Sequence, residues 1–233
     1  MKAFLLAGGL GTRLRPITVT IPKCLVPIYN KPLLDWWYLT FQKYGITDVL
    51  INLHHLGGQV KQHIQSNYSK VNFTFFEENE LIGSAGTLRE NKEFVKDENE
   101  FFIIYADNLT NYNLGEMLNF HKSSDYEFTM ALFHTDKPKT KGIACINDYK
   151  VITEFEEKPQ QPKSNLANAG IYISSPEILD LIPSKELTDI GFDLLPILVN
   201  KMRGWVTNDY LIDIGNLEHL KRAELEWPKI IGD

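Results

Sequence analysis

The residues best placed for charge chemistry lie near the start of the chain. The run Leu6-Ala7-Gly8-Gly9-Leu10-Gly11-Thr12-Arg13-Leu14-Arg15-Pro16 passes from apolar residues into glycines and then into arginines. Glycines at the exit of a strand let the backbone approach a phosphate closely, and their exposed N–H groups supply donors. Arg13 can clamp two phosphate oxygens, and Lys23 adds a compact positive charge. The glycine spacing is not that of a dinucleotide fingerprint, because Leu14 stands where the third glycine belongs. No G-K-S/T ends the loop, so a Walker A reading fails as well. A tight turn with a solvated arginine is the plain alternative, and it must also account for Pro22-Lys23.

The elements that must position this loop follow from periodicity. Residues 2–7 read as a buried strand, 33–44 as a helix with Leu33, Trp37, Phe41 and Tyr44 on one face, and 48–53 as a second strand. A helix at 57–66, a strand at 71–76, a helix at 84–95 and a strand at 101–106 continue the alternation. That order predicts an α/β fold with a parallel sheet and helices on both faces. A helix at 114–123 and a strand at 127–134 come next. Short strands are expected at 142–147, 151–155, 168–173 and 205–212, with closing helices at 190–202 and 216–226. No linker-like shift in composition appears. The expectation is one domain over residues 1–233, with a nucleotide-binding half to about residue 110 and a second, mixed half from 111 to 233.

Composition narrows the class. Of 233 residues, 24 are Lys or Arg and 30 are Asp or Glu, a net charge of −6, so no basic excess points to nucleic acid or an anionic membrane. Cys24 and Cys145 lie far apart and form neither a metal cluster nor a disulfide framework, which favours a reducing compartment. No apolar run is long enough to span a membrane, and the first residues lack the form of a secretory signal. A cytoplasmic protein is therefore expected. His54 and His55 read as a polar strand terminus. Trp36 and Trp37 are adjacent and face different sides of their helix, so one is expected in the core and the other at a subunit contact.

The segment Gly8 to Lys23 resembles the GGxGTRLxPxTxxxPK signature of the sugar-phosphate nucleotidyltransferases, also called NDP-sugar pyrophosphorylases. Cys24 replaces the proline that usually follows. Further segments share the resemblance. Glu77 to Gly86 is similar to the base-recognition stretch E-E-x-E-P-L-G-T-A-G of the mannose-1-phosphate guanylyltransferase branch, although Ser84 alone would read as a helix N-cap. Ala106-Asp107-Asn108 resembles G-D-N/V, with alanine for glycine, and Leu211 to Gly215 resembles W-x-D-V/I-G, with leucine for tryptophan. Glu156-Glu157-Lys158-Pro159 and Asn168-Ala169-Gly170-Ile171-Tyr172 resemble the E-E-K-P and N-A-G-I/L-Y motifs.

The resemblance implies a Rossmann-like mixed, mainly parallel sheet of the nucleotide-diphospho-sugar transferase type. No hexapeptide repeat is present, so no C-terminal β-helix is expected. It implies nucleotidyl transfer from an NTP to a sugar 1-phosphate, with release of pyrophosphate. GTP with mannose 1-phosphate or a manno-heptose 1-phosphate is the first expectation, in the supply of cell-surface polysaccharide precursors. Uridylyl, thymidylyl or cytidylyl transfer, or a regulatory homologue without turnover, are the alternatives. The implied catalytic residues are Arg13 and Lys23. Leu6, Ala7, Gly8, Gly9, Gly11, Thr12, Arg13, Glu78, Gly83, Ser84 and Gly86 would bind nucleotide. Gly142, Glu157, Lys158 and Asn168 would bind the sugar phosphate, and Asp107 with Asp213 would hold Mg²⁺. Such proteins are often oligomers, which makes a homodimer an expectation.

Overall fold

The computed structural model describes residues 1–232. In chain order its strands and helices begin with β1 (Lys2–Leu6), β2 (Pro27–Ile28), β3 (Lys31–Pro32), α1 (Leu33–Lys43), β4 (Asp48–Leu53), α2 (Gly57–Asn67), β5 (Asn72–Glu77) and α3 (Ser84–Glu90). They continue with β6 (Phe101–Tyr105), β7 (Asn108–Thr110), α4 (Leu114–Lys122), β8 (Phe128–His134), β9 (Gly142–Ile146) and β10 (Ile152–Glu157). Last come β11 (Leu166–Ser174), β12 (Arg203–Val206), β13 (Leu211–Asp213) and α5 (Leu217–Ile231). The fold class is the expected mixed α/β one. The chain forms two compact units, each built from separated stretches.

The first unit comprises Met1–Leu81, Tyr105–Tyr112 and the chain from Asp209 onward. Its β1 and β4 pair in parallel with Phe4 opposite Leu50, and β4 pairs in parallel with β5. Strand β4 reads DVLINL and is buried from Val49 to Leu53, as a strand covered on both faces should be. Strand β5 is half exposed, which marks it as the outer of the three. Helix α1 buries Leu33, Leu34, Trp37 and Phe41, and α2 buries Val60 and Ile64 one turn apart. A separate apolar cluster joins Leu14, Val26, Ile28, Leu33, Leu109, Ile212, Ile214, Ala223 and Trp227. It packs the root of the glycine loop against β7, β13 and α5. Trp37 is the tryptophan in the core, and Trp36, partly exposed, meets Trp227 edge-on at 5.4 Å.

The second unit comprises Ile82–Ile104 and Asn113–Asn208. Here pairing is mostly antiparallel: β11 pairs with β6, β8 and β9, β9 pairs with β10, and β12 runs parallel to β8. Three expected elements differ. The strand expected at 205–212 is two strands, β12 and β13, one in each unit. Asn208-Asp209 between them is turn chemistry that interrupts a ladder. The helix expected at 190–202 is a single π turn, Ile190–Leu194, followed by a 3-10 turn, Leu195–Leu198. Pro196 has no N–H to carry an α-helix through that point. The helix expected at 84–95 also ends early, at Glu90. Asn91 there turns its side-chain amide back to the Thr87 carbonyl at 2.8 Å.

Candidate functional site

Strand β1 ends at Leu6, whose carbonyl accepts the Ala106 N–H at 3.0 Å. The next N–H, that of Ala7, donates to Asn52 Oδ1 at 2.6 Å. Asn52 is the one polar residue in the buried run of β4, and its Nδ2 donates to Glu78 Oε1 at 2.9 Å. His54 Nδ1 pairs with the Glu78 carbonyl oxygen at 2.7 Å, a structural contact that agrees with reading His54 as a strand terminus. Buried Glu78 and Asn52 thus fix the entrance of the glycine loop from below. The loop passes close over them, since a Cβ on Gly8 would lie 2.7 Å from Asn52 Nδ2.

Gly9 is exposed, and the loop turns at Gly11, whose φ of 63° lies in the left-handed region that favours glycine. The Gly11 carbonyl accepts from Leu14 N–H at 2.9 Å and from Thr18 Oγ1 at 2.7 Å. A 3-10 turn over Thr12–Leu14 follows, with Leu14 buried and Thr12 and Arg13 exposed. One apolar anchor therefore fixes the turn and leaves the two polar side chains outside.

The two expected metal ligands are brought together. Strands β7 and β13 pair antiparallel with Asp213 opposite Asn108, and Ile214 N–H donates to the Asp107 carbonyl at 2.8 Å. Ile212 and Ile214 point into the core, so alternation turns Asp213 the other way. Lys23 reaches the same place: its Nζ is 2.5 Å from Asp107 Oδ2 and 3.8 Å from Asp213 Oδ1. Arg13 comes to the same corner, because a Cβ on Gly215 would lie 3.1 Å from Arg13 Nη2 and 3.0 Å from Asp213 Oδ1. Residues from four separated stretches, near 13, 23, 107 and 213, thus converge within the first unit.

Among the described residues no three His, Cys, Asp or Glu side chains converge as a closed metal cage. Two carboxylates that already share one cation are nevertheless hard oxygen donors. That set fits a magnesium-type ion, which keeps water and takes its other ligands from phosphates. Cys24, in the place of the usual proline, is buried, and burial pushes its thiol up to about 12. It therefore stays a protonated, inert filler beside Lys23.

The remaining expected residues lie in the second unit. Gly83 precedes α3 with φ 84°, and a Cβ there would overlap the Thr188 carbonyl. That carbonyl accepts the N–H groups of Ala85 and Gly86 at 3.0 and 3.1 Å. Ser84 is not the N-cap; its hydroxyl donates to Asp189 Oδ2 at 2.9 Å and accepts Ile190 N–H at 2.8 Å. The Ala85 and Gly86 N–H groups at the start of this short helix are therefore satisfied by the Thr188 carbonyl.

Glu157 ends β10 with its side chain only 15 % exposed. A Cβ on Gly142 would overlap its carboxylate, and one on Gly191 would lie 2.8 Å from Glu157 Oε2. The two glycines open the space that the carboxylate fills. Burial pushes the Glu157 carboxyl above the ordinary carboxylate range, and neighbouring Asp189 adds to the rise, against an opposing pull from Lys158 and Lys141. Lys158 is far more exposed; its Nζ is 3.9 Å from Glu157 Oε1 and lies over the Phe192 ring at 5.6 Å. Asn168 is engaged within its own strand, accepting Gly170 N–H at 2.8 Å and donating to the Tyr172 hydroxyl at 2.7 Å.

Asn52, Asp189 and Gly191 were not among the residues expected from the sequence. Asn52 carried a signal, a lone amide at the end of an apolar strand. The other two did not, because their role depends on contacts with residues more than thirty positions away.

The family model described as nucleotidyl transferase matches residues 2–229. A mannose-1-phosphate guanyltransferase of Schizosaccharomyces pombe is 34% identical over 223 residues, which are 92% of this chain and 61% of that protein. The low-salt glycan biosynthesis nucleotidyltransferase Agl11 of Haloferax volcanii is 35% identical over 188 residues, 80% of this chain and 52% of that protein. The chain thus spans at most 61% of the length of these two curated relatives. Among solved structures, a Bacillus anthracis protein provisionally described as a glucose-1-phosphate thymidylyltransferase, in complex with a sucrose, superposes with a TM-score of 0.85. It is 26% identical, and the match covers 97% of this chain and 94% of that one.

Proposed function

This chain belongs to the nucleotidyl transferase family, and from that premise we propose that it joins a nucleoside triphosphate to a sugar 1-phosphate. An oxygen of the sugar phosphate attacks the α-phosphorus. The bond from that phosphorus to the bridging oxygen breaks, and pyrophosphate leaves with the electron pair. The attacking oxygen is already anionic at neutral pH, so no strong general base is needed. Catalysis is then positioning and charge neutralisation.

Within this reading the backbone of Leu6, Ala7, Gly8, Gly9, Gly11 and Thr12 cradles the triphosphate, and Arg13 steadies the charge that develops on pyrophosphate. Lys23 neutralises the α-phosphate, and Glu78 with Gly83, Ser84 and Gly86 serves the nucleotide base. Lys158 holds the sugar phosphate, while Gly142, Glu157 and Asn168 receive the sugar. Asp107 and Asp213 hold Mg²⁺, which supplies charge neutralisation across the phosphates when bound. The observation that carries the reading is the convergence of Arg13, Lys23, Asp107 and Asp213 at the foot of a glycine loop.

GTP and mannose 1-phosphate are the favoured pair, supported by the guanyltransferase relative at 34% identity. The Haloferax relative supports a role in glycan or polysaccharide precursor supply. Thymidylyl transfer to glucose 1-phosphate is the second reading, favoured by the description of the Bacillus anthracis structure. The free cysteines Cys24 and Cys145 suit a reducing, cytoplasmic setting, and among the described residues no helix is long and apolar enough to cross a membrane. A homodimer remains part of the proposal. Pyrophosphate release, assayed with each of the common NTPs against mannose, manno-heptose and glucose 1-phosphates, tests the reading. Release with GTP and a manno-sugar supports it. Release with dTTP and glucose 1-phosphate selects the second reading, and no release with any pair overturns both.

A further inference from the structure

Lys23 reaches both of the aspartates that the function proposed above gives to a divalent cation. Its ammonium is 2.5 Å from Asp107 Oδ2 and 3.8 Å from Asp213 Oδ1, and its side chain is only 12 % exposed. An ammonium and a divalent ion drawn to the same carboxylate oxygens compete for them, and at such separations their mutual repulsion in a half-buried site is strong. One of them must yield.

The surroundings show which one is free to move. Asp107 and Asp213 are fixed through the backbone, by the β7–β13 pairing and by the bond from Ile214 N–H to the Asp107 carbonyl. The backbone of Lys23 is equally fixed: it opens a 3-10 turn closed by Leu25 N–H to the Pro22 carbonyl at 2.8 Å, with Cys24 buried behind it. Its four-carbon stem, however, has rotatable bonds along its length. That stem starts beside the glycine loop, since a Cβ on Gly11 would lie 3.4 Å from Lys23 Cβ. The ammonium can therefore leave the carboxylates for an anion on the loop while its backbone stays in place.

We propose that Lys23 is the resident counter-ion of the Asp107–Asp213 pair and competes with a divalent metal for it. In the protein without nucleotide, Lys23 neutralises the carboxylates and depresses metal affinity. A triphosphate on the loop gives the ammonium another partner and opens the pair. Metal and nucleotide then favour each other's binding through this side chain. The choice of these carboxylates as the metal ligands rests on the function proposed above.

The test is Mn²⁺ binding to the full chain without nucleotide, followed by the electron paramagnetic resonance signal of free Mn²⁺. Lys23→Met should bind Mn²⁺ about tenfold more tightly than the wild type, within the roughly 5- to 150-fold range common for coupled sites. Lys23→Gln should do the same and serves if the methionine variant fails to fold. Adding Asp213→Asn to either variant should abolish the gain. Equal or weaker binding by the folded variants, no measurable binding by any of the proteins, or a gain that survives Asp213→Asn, each overturns the proposal. Pyrophosphate release by the wild type is a separate readout. If it persists while the Mn²⁺ gain is missing, the competition fails and the transferase reading stands. If the gain appears without pyrophosphate release from any substrate pair, the competition stands and the transferase reading fails.

Discussion

In the first unit Lys23 lies 2.5 Å from Asp107 and 3.8 Å from Asp213, whereas in the second Glu157 has Lys158 no nearer than 3.9 Å and mostly in solvent. The first group of charges is held by partners of opposite sign. The second is held by burial, in room left by Gly142 and Gly191. Partnered charges suit a place where highly charged phosphates arrive, because the protein's own cations and anions are already gathered there and neutralise each other until the ligand comes. A desolvated carboxylate suits neutral hydroxyl donors, which satisfy it without adding charge. The two units thus differ in chemistry: paired charges in the first, a desolvated carboxylate in the second.

Changes to the partnered charges should have the largest effect. Arg13→Ala and Lys23→Ala should each lower turnover by ~10²–10³, equivalent to about 2.7–4 kcal/mol, in steady-state pyrophosphate release. Exposed Arg13 can go with little change in melting temperature. Loss of Lys23 leaves Asp107 and Asp213 facing each other and should lower it. Near-normal turnover in a folded Arg13→Ala protein would remove the contrast.

Next in size is the support beneath the loop. Asn52→Ala leaves the Ala7 N–H and the buried Glu78 carboxylate without this partner. Denaturant unfolding should show a loss of about 1–3 kcal/mol. The KM for nucleotide should rise while that for sugar phosphate holds. A rise in both would show that Asn52 supports more than the glycine loop.

Glu157→Gln sharpens the comparison through pH. Burial raises the Glu157 pKa, so the folded protein keeps that proton to a higher pH than the unfolded chain does. Its contribution to stability is therefore greatest in acid. It declines as pH rises from the unfolded carboxylate value, ~4.3, through the raised folded value. Thermal unfolding across that window should show the decline in the wild type and a flatter profile in Glu157→Gln. Identical profiles would mean that burial does not set the charge of this group.

Lys158→Ala should have the smallest effect on stability, within about 0.5 kcal/mol, because its side chain is 59 % exposed. The KM for sugar phosphate should nonetheless rise severalfold. No change in either quantity would leave Lys158 as a solvated turn residue.

The parts of the molecule legible in the sequence are those whose signal is local. Strand β4 appears at its expected residues because DVLINL is a continuous apolar run, and α1 appears because Leu33, Trp37 and Phe41 repeat at helical spacing. The loop from Gly8 to Lys23 was legible for the same reason, as a fixed spacing of glycines and cations. What escaped depends on long-range contact. Nothing local in residues 205–212 shows that the segment passes from one unit to the other. Pro196 was a visible helix breaker, but the π turn before it is held by Asp189 accepting Gly191 N–H at 2.8 Å and Phe192 N–H at 3.2 Å. Lys23 was legible as a cation close to the glycine loop. Its place between two aspartates 84 and 190 positions away was not.

A crystal structure of the protein with a non-hydrolysable GTP analogue and Mn²⁺ tests the proposed phosphate site most directly. The triphosphate should lie along the backbone of Gly8 to Thr12, with Arg13 against its outer phosphates and the ion on Asp107 and Asp213. A triphosphate bound elsewhere, or an ion that leaves either aspartate untouched, would contradict this arrangement.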